Sequence, residues 1–174
     1  VRSLGKVPEV TLVFWVIKIA ATTFGETAGD ALSMSLDLGY LVSTAIFAVV
    51  FVAAVAAQIA AREFRPFLYW VTIIASTTVG TTLADFADRS LGIGYAGGTS
   101  LLCALLLLSL FTWHKALGSI AVDTVRSPAS ETFYWVTIMF SQTLGTALGD
   151  WTADTAGLGY VGGAAVFSAL LGLV

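Results

Sequence analysis

Three aspartates, Asp30, Asp85 and Asp150, hold the same place in three copies of one apolar motif. The copies read Trp15–Gly25–Asp30–Gly39–Tyr40, Trp70–Gly80–Asp85–Gly94–Tyr95 and Trp135–Gly145–Asp150–Gly159–Tyr160, with identical internal spacing. An aromatic precedes each Trp (Phe14, Tyr69, Tyr134), and a Thr stands two residues before the first Gly (Thr23, Thr78, Thr143). A carboxylate inside an apolar segment is costly, so it marks an ion or proton site by default. Carboxylate and hydroxyl oxygens are hard ligands suited to Mn²⁺, Mg²⁺, Ca²⁺ or H⁺, and the sequence offers no thiolate–imidazole set for copper or zinc.

Helical spacing sharpens that expectation. At 100° per residue, Thr23, Thr27 and Asp30 share one side of a helix, as do Thr78, Thr82 and Asp85. In the third copy Thr143 and Asp150 remain, and Ala147 replaces the middle hydroxyl. Asp30, Asp85, Asp150 and Glu26 are therefore the expected cation ligands, and Thr23, Thr27, Thr78, Thr82 and Thr143 the expected lining of a path. Glu26 lies one turn before Asp30 and has Thr81 and Thr146 as its counterparts. Such a pair holds a proton or a cation, because close like charges resist joint ionisation. Lys18 sits twelve residues, about 18 Å, below Asp30. It is expected to snorkel toward the cytoplasm, with an inner gate or a substrate contact as the alternatives. The competing reading of the acids is interfacial: Pro66 to Asp85 spans about 28 Å of helix, close to a hydrocarbon thickness of about 30 Å. An Asp there would be wet and would cap the next turn, provided the helix breaks before it.

The elements that must position these groups are membrane helices. The chain is 57% hydrophobic and only 11% charged, against about 25% charged in soluble domains. Uncharged runs such as Leu38–Ala61, Pro66–Ala84 and Gly92–Trp113 are long enough to cross a bilayer. Six helices are expected, paired as three parallel helical hairpins, about 8–61, 66–117 and 131–174, around a pseudo-symmetry axis along the membrane normal. The fold class is thus an all-α integral membrane protein, one domain over residues 1–174. Arg2, Lys6, Arg62, Arg65, Lys115 and Arg126 fall on one side and only Arg89 on the other. That bias places the N-terminus in the cytoplasm and turns Asp37, Asp88 and Asp154 outward. Gly25/Gly29, Gly80/Ala84 and Gly145/Gly149 are small residues four apart that let odd-numbered helices approach closely. The odd helices carry every intramembrane charge, so they form the expected inner layer.

Other chemistry is sparse. Cys103 is the one cysteine, and a disulfide within the chain is excluded. His114 lies beside Lys115 in an expected loop, and no phosphate-binding or zinc-type spacing occurs. The net charge of −3 carries no basic patch for nucleic acid. Three equivalent acids match poorly with an aspartyl dyad, so an enzyme is not expected, nor any cofactor beyond a bound divalent cation. No signal peptide is apparent. The chain opens on Val1 and its last apolar run reaches Val174, as a fragment would.

The runs Lys6-Val7-Pro8-Glu9-Val10-Thr11, Phe14-Trp15-Val16-Ile17-Lys18 and Thr23-Phe24-Gly25-Glu26-Thr27-Ala28-Gly29-Asp30, with Phe133-Tyr134-Trp135 and Leu148-Gly149-Asp150, resemble a bacterial family of membrane-anchored proteins. Some of its members carry the label of predicted regulators of a starch-degrading enzyme. The resemblance covers essentially the whole chain. It implies a fourth related hairpin that is missing here, and with it a four-unit ring as an alternative to a threefold one. The expected function is a small cation transporter or channel of a bacterial inner membrane. The alternative is a non-transporting scaffold or regulatory subunit, whose neighbours in the bilayer are a second copy or a partner membrane subunit.

Overall fold

The starts of the three odd-numbered helices are written locally. Thr11 caps the first helix by accepting a hydrogen bond from the Phe14 amide at 3.3 Å. Pro66 and Pro128 occupy first-turn positions, where a missing N–H costs nothing. Ser127 and Ser130 close a capping box on the fifth helix. The computed structural model describes residues 5–173. Arg2, one of the residues in the charge bias, and Val174 lie outside them. The elements are α1 Leu12–Asp30, α2 Gly39–Ala60, α3 Pro66–Asp85, α4 Gly94–Leu117, α5 Pro128–Asp150 and α6 Gly159–Leu171. No strand occurs among the described residues.

The three repeats share a local peculiarity. α1, α3 and α5 each end on the repeated Asp, and the chain then runs straight into a five-residue π-helical turn: Ala31–Ser35, Phe86–Ser90 and Trp151–Thr155. The wider bonds are Leu36 N–H to Ala31 C=O, Leu91 to Phe86 and Ala156 to Trp151, all 2.9 Å. π turns of this kind cluster at functional sites. The helix therefore does not break before the Asp, and none of the three acids makes a capping bond at that junction. The premise of the capping interpretation fails. The glycine of each Gly-Tyr pair, Gly39, Gly94 and Gly159, has φ of 63–75°, which side chains with a Cβ rarely adopt.

Among the described residues, three helices are long and apolar enough to cross a membrane: Gly39–Ala60, α3 with its π turn (Pro66–Ser90), and Gly94–Leu117. α1 and α5 fall short of that description: α1 carries Lys18, Glu26 and Asp30, and α5 is interrupted by uncharged polar residues such as Ser141, Gln142 and Thr143. His114 and Lys115 belong to the last turn of α4, not to a loop.

Packing runs from one repeat to the next. α1 lies on α3 and α3 on α5, while α2 lies on α3 and α4 on α5. A return helix thus packs principally against the first helix of the following repeat, a departure from three self-contained hairpins. Side chains repeat the relation. Phe14 meets Trp70 at 5.5 Å between ring centroids, and Tyr69 meets Trp135 at 5.5 Å. A Cβ on Gly25 would stand 2.9 Å from Ile74 O and from Thr77 Cβ; one on Gly80 would stand 3.0 Å from Thr143 N. α3, packed on both sides, is buried along most of its length, whereas α2 and α4 bury few residues and α6 only Gly163. The expected inner layer of odd helices is seen only in part: burial is concentrated in α3 and then α5, while α1 buries only Ala21, Gly25 and Gly29, no more than the return helices α2 and α4.

One end is pinned by charge. Lys6 Nζ lies 2.7 Å from Glu131 Oε1 and donates to the carbonyls of Gln58 and Ile59 at 3.1 and 3.2 Å. This closes the α2 C-terminus and the α5 N-terminus together. Tyr69 and Tyr134 share a buried hydroxyl–hydroxyl bond of 2.6 Å at the same level.

Candidate functional site

The repeated acids come together at the opposite end. Asp30, Asp85 and Asp150, each the last residue of its α-helix, line one cavity of about 200 Å³ with Glu26. Thr81, Thr146, Met34, Tyr160 and Arg89 complete its wall. Asp85 is the most enclosed, 4% exposed, because α3 is flanked by α1 and α5. The Thr81 and Thr146 hydroxyls face each other at 3.3 Å. These are the counterparts of Glu26, so the same repeat position lines the cavity three times. Among the described residues, no three carboxylate, imidazole or thiol side chains are grouped closely enough to hold a metal ion directly.

Arg89 is the group that sequence reasoning left outside. Its Nε lies 3.1 Å from Asp85 Oδ1 and its Nη2 3.7 Å from Asp150 Oδ2. Its Nη1 donates to the Tyr40 hydroxyl at 3.5 Å. The contact to Asp85 is an ion pair without hydrogen-bond alignment, since Oδ1 has no aligned donor. Sequence did carry a signal for it, the Asp85–Arg89 spacing of four residues. Only Arg89 among the bases stands after a repeated Asp; Met34 and Asp154 fill its place in the other copies.

Asp88, in the second π turn, is buried: it is 6% exposed and neither carboxylate oxygen has a hydrogen-bond partner. Its carboxylate sits against the Cα of Gly98, in space that a Cβ there would occupy. The corresponding pairs are Ser33 with Ser43 and Ala153 with Gly163. Asp37 and Asp154 are exposed.

Lys18 does not snorkel. Its Nζ donates to Gln142 Oε1 on α5 at 2.9 Å, and Thr77 Oγ1 donates to the same oxygen at 2.6 Å. The Gln142 amide nitrogen donates in turn to Ser76 Oγ and to Ile73 O. Gln142 thereby ties α1, α3 and α5 together below the acids. Lys18 and Gln142 line a larger cavity of about 650 Å³ that reaches Glu26 and Asp150 along Thr22, Thr77 and Thr146.

The threonine stripe lies elsewhere than expected. Thr78, Thr82 and Thr143 are buried in helix seams and back-bond to Ile74, Thr78 and Met139 carbonyls at 2.8–3.0 Å. Thr23 and Thr27 are exposed, and Thr27 back-bonds to Thr23 O. None of the five borders either cavity. The Thr of α3 and α5 lie in helix seams and those of α1 in the open, whereas the repeated Asp and the stripe Lys18–Thr22–Glu26 line the cavities. The small-residue pairs are also unequal. Gly25, Gly29 and Gly80 meet atoms of the next repeat, and Ala84 is buried, whereas Gly145 and Gly149 face open space.

The chain belongs to the family described as Repeat of Unknown Function (DUF347), whose model matches residues 13–64, 68–118 and 133–174. The matched segments fall on the three repeats. No curated protein and no solved structure matches the chain.

Proposed function

We propose that this protein moves a small cation, the proton foremost, across a bacterial inner membrane by way of its shared acid cavity. The observation that carries this reading is the convergence of Glu26, Asp30, Asp85 and Asp150 on one cavity whose wall supplies a single cation, Arg89. Four carboxylates so placed cannot all be ionised against one guanidinium, so the balance comes from protons or a mobile cation. Among the ions that carboxylates suit, the proton needs no cage of ligands, which fits acids spaced too widely to grip Mn²⁺, Mg²⁺ or Ca²⁺ together. In this reading α1, α5 and α6 also span the membrane, giving six spans. The three repeats enter from the cytoplasmic side, where Lys6, Arg62, Arg65, Lys115 and Arg126 gather. They succeed one another around an axis along the membrane normal. Lys18 and Gln142 form the inner constriction below the acids.

Reconstituted into liposomes with an imposed proton gradient, the protein should dissipate the gradient, and Asp85→Asn with Asp150→Asn should stop it. An inert wild-type protein, or full flux with Asn at all three Asp positions, refutes the reading.

A second reading, a scaffold or regulatory subunit of a larger membrane complex, is favoured by a different observation. Gly145 and Gly149 have no atom within 4 Å of a built Cβ, and α6 buries only Gly163. That face of α5 and α6 repeats the surface through which α1–α2 and α3–α4 meet their successors. It suits a neighbouring helix pair. Capture of one stoichiometric membrane partner, with no flux, would favour this reading.

A further inference from the structure

Arg89 touches all three repeats at once. Asp85 belongs to the second, Asp150 to the third and Tyr40 to the first. It stands in the π turn beyond the acids and lines their cavity, while its side chain remains 38% exposed. One end of this residue is therefore in solvent and the other in the acid site. Its contacts are also uneven: 3.1 Å to Asp85, but 3.7 Å to Asp150 and 3.5 Å to Tyr40. The last two lie beyond the range of a tight charge-assisted bond. A guanidinium held closest at one point and more loosely at two can release the loose ones while staying tethered through its own chain.

We infer that Arg89 is the gate of the acid cavity at the π-turn end, a tethered cation that holds the place of the mobile one. The inference rests on the acid cavity being the transport site, and it adds the element that controls access to it. With Arg89 paired to Asp85 and Asp150, the guanidinium covers the carboxylates and repels an approaching cation. When it swings toward solvent, the acids are uncovered and their lost counter-charge draws a proton or another cation in. The mechanism needs only one such residue, and Met34 and Asp154 stand at the corresponding places in the other repeats.

Cysteine accessibility tests this directly. Cys103 is exposed on α4 and borders neither cavity, so a Cys103→Ala background leaves a single reporter, Thr81→Cys, inside the acid cavity. A charged, membrane-impermeant thiosulfonate is added from the side of the π turns and the labelling rate is measured. With Arg89 present the rate should be low. Arg89→Gln should raise it by about tenfold or more, the factor that follows when opening no longer breaks a charge-assisted contact. Should Arg89→Gln fail to fold, Asp150→Asn, which removes one of the two ion pairs, should raise the rate by a smaller factor. Equal rates in Arg89 and in either variant overturn the gate. The two hypotheses separate cleanly. Altered labelling in a protein that carries no proton flux sinks transport and leaves the gate, whereas Asp-dependent flux with unaltered labelling sinks the gate alone.

Discussion

Gly25, Gly80 and Gly145 hold one position in the repeat but meet three different neighbourhoods, so alanine at each should move stability in different directions. In a helix interior, alanine is favoured over glycine by about 0.5–1 kcal/mol. At Gly145 nothing stands within 4 Å of the new Cβ, so Gly145→Ala should stabilise by that amount. At Gly25 the Cβ would fall 2.9 Å from the carbonyl oxygen of Ile74 and 2.9 Å from Thr77 Cβ. Backbone cannot swing aside as a long side chain can, so the α1–α3 seam must open. Overpacking of this kind costs about 1–3 kcal/mol, which outweighs the helical gain. Gly80 meets Thr143 N and Oγ1, both at 3.0 Å, and should behave like Gly25. Reversible unfolding of the purified protein in mixed micelles would read the three variants side by side, with Gly145→Ala above wild type and the other two below it. A Gly145→Ala variant that falls with Gly25→Ala would refute the packing order, because the α5 face would then have to be as crowded as the α1 face. A Gly25→Ala variant that gains stability would refute the close approach of α1 to α3.

The Asp88–Gly98 pair predicts a rescue. Gly98→Ser should destabilise by about 1–3 kcal/mol because the Cβ enters the space of the Asp88 carboxylate, and adding Asp88→Ser, which restores the pair found in the first repeat, should recover most of the loss in melting temperature. At the other end, Lys6→Met should cost about 3–5 kcal/mol by stranding the buried Glu131 carboxylate. The double variant Lys6→Met/Glu131→Leu should lie well above the single one in the same unfolding assay. Gln142→Leu strands Lys18, while Thr77 and Ser76 keep their bonds to the Ile73 carbonyl, and should lower stability by about 1–3 kcal/mol. Pairing Gln142→Thr with Lys18→Ile, the residue types of the second repeat, should be better tolerated than Gln142→Leu alone.

Much of this molecule is written in the chain itself. Three ungapped copies of one motif announce three copies of one unit, and a positive-φ glycine before each Tyr follows from steric exclusion of a Cβ. A carboxylate in an apolar run marks the site because no solvent is there to hold its charge. Helical periodicity also tells which residues share a stripe, since it depends only on the chain's own backbone. What periodicity cannot say is which neighbour a stripe faces. The Thr–Asp stripe looked like a path, but its Thr lie in seams on α3 and α5 and in the open on α1, leaving the cavities to the repeated Asp and to Lys18, Thr22 and Glu26. Long side chains add a further freedom. Lys18 and Arg89 each reach several ångströms from their backbones, so their partners, Gln142 at a separation of 124 residues and Asp150 from another repeat, are settled by packing and not by local sequence. The acids were legible in the chain because their cost is local; their counter-ion was not, because a charge is neutralised by whatever the fold brings near it.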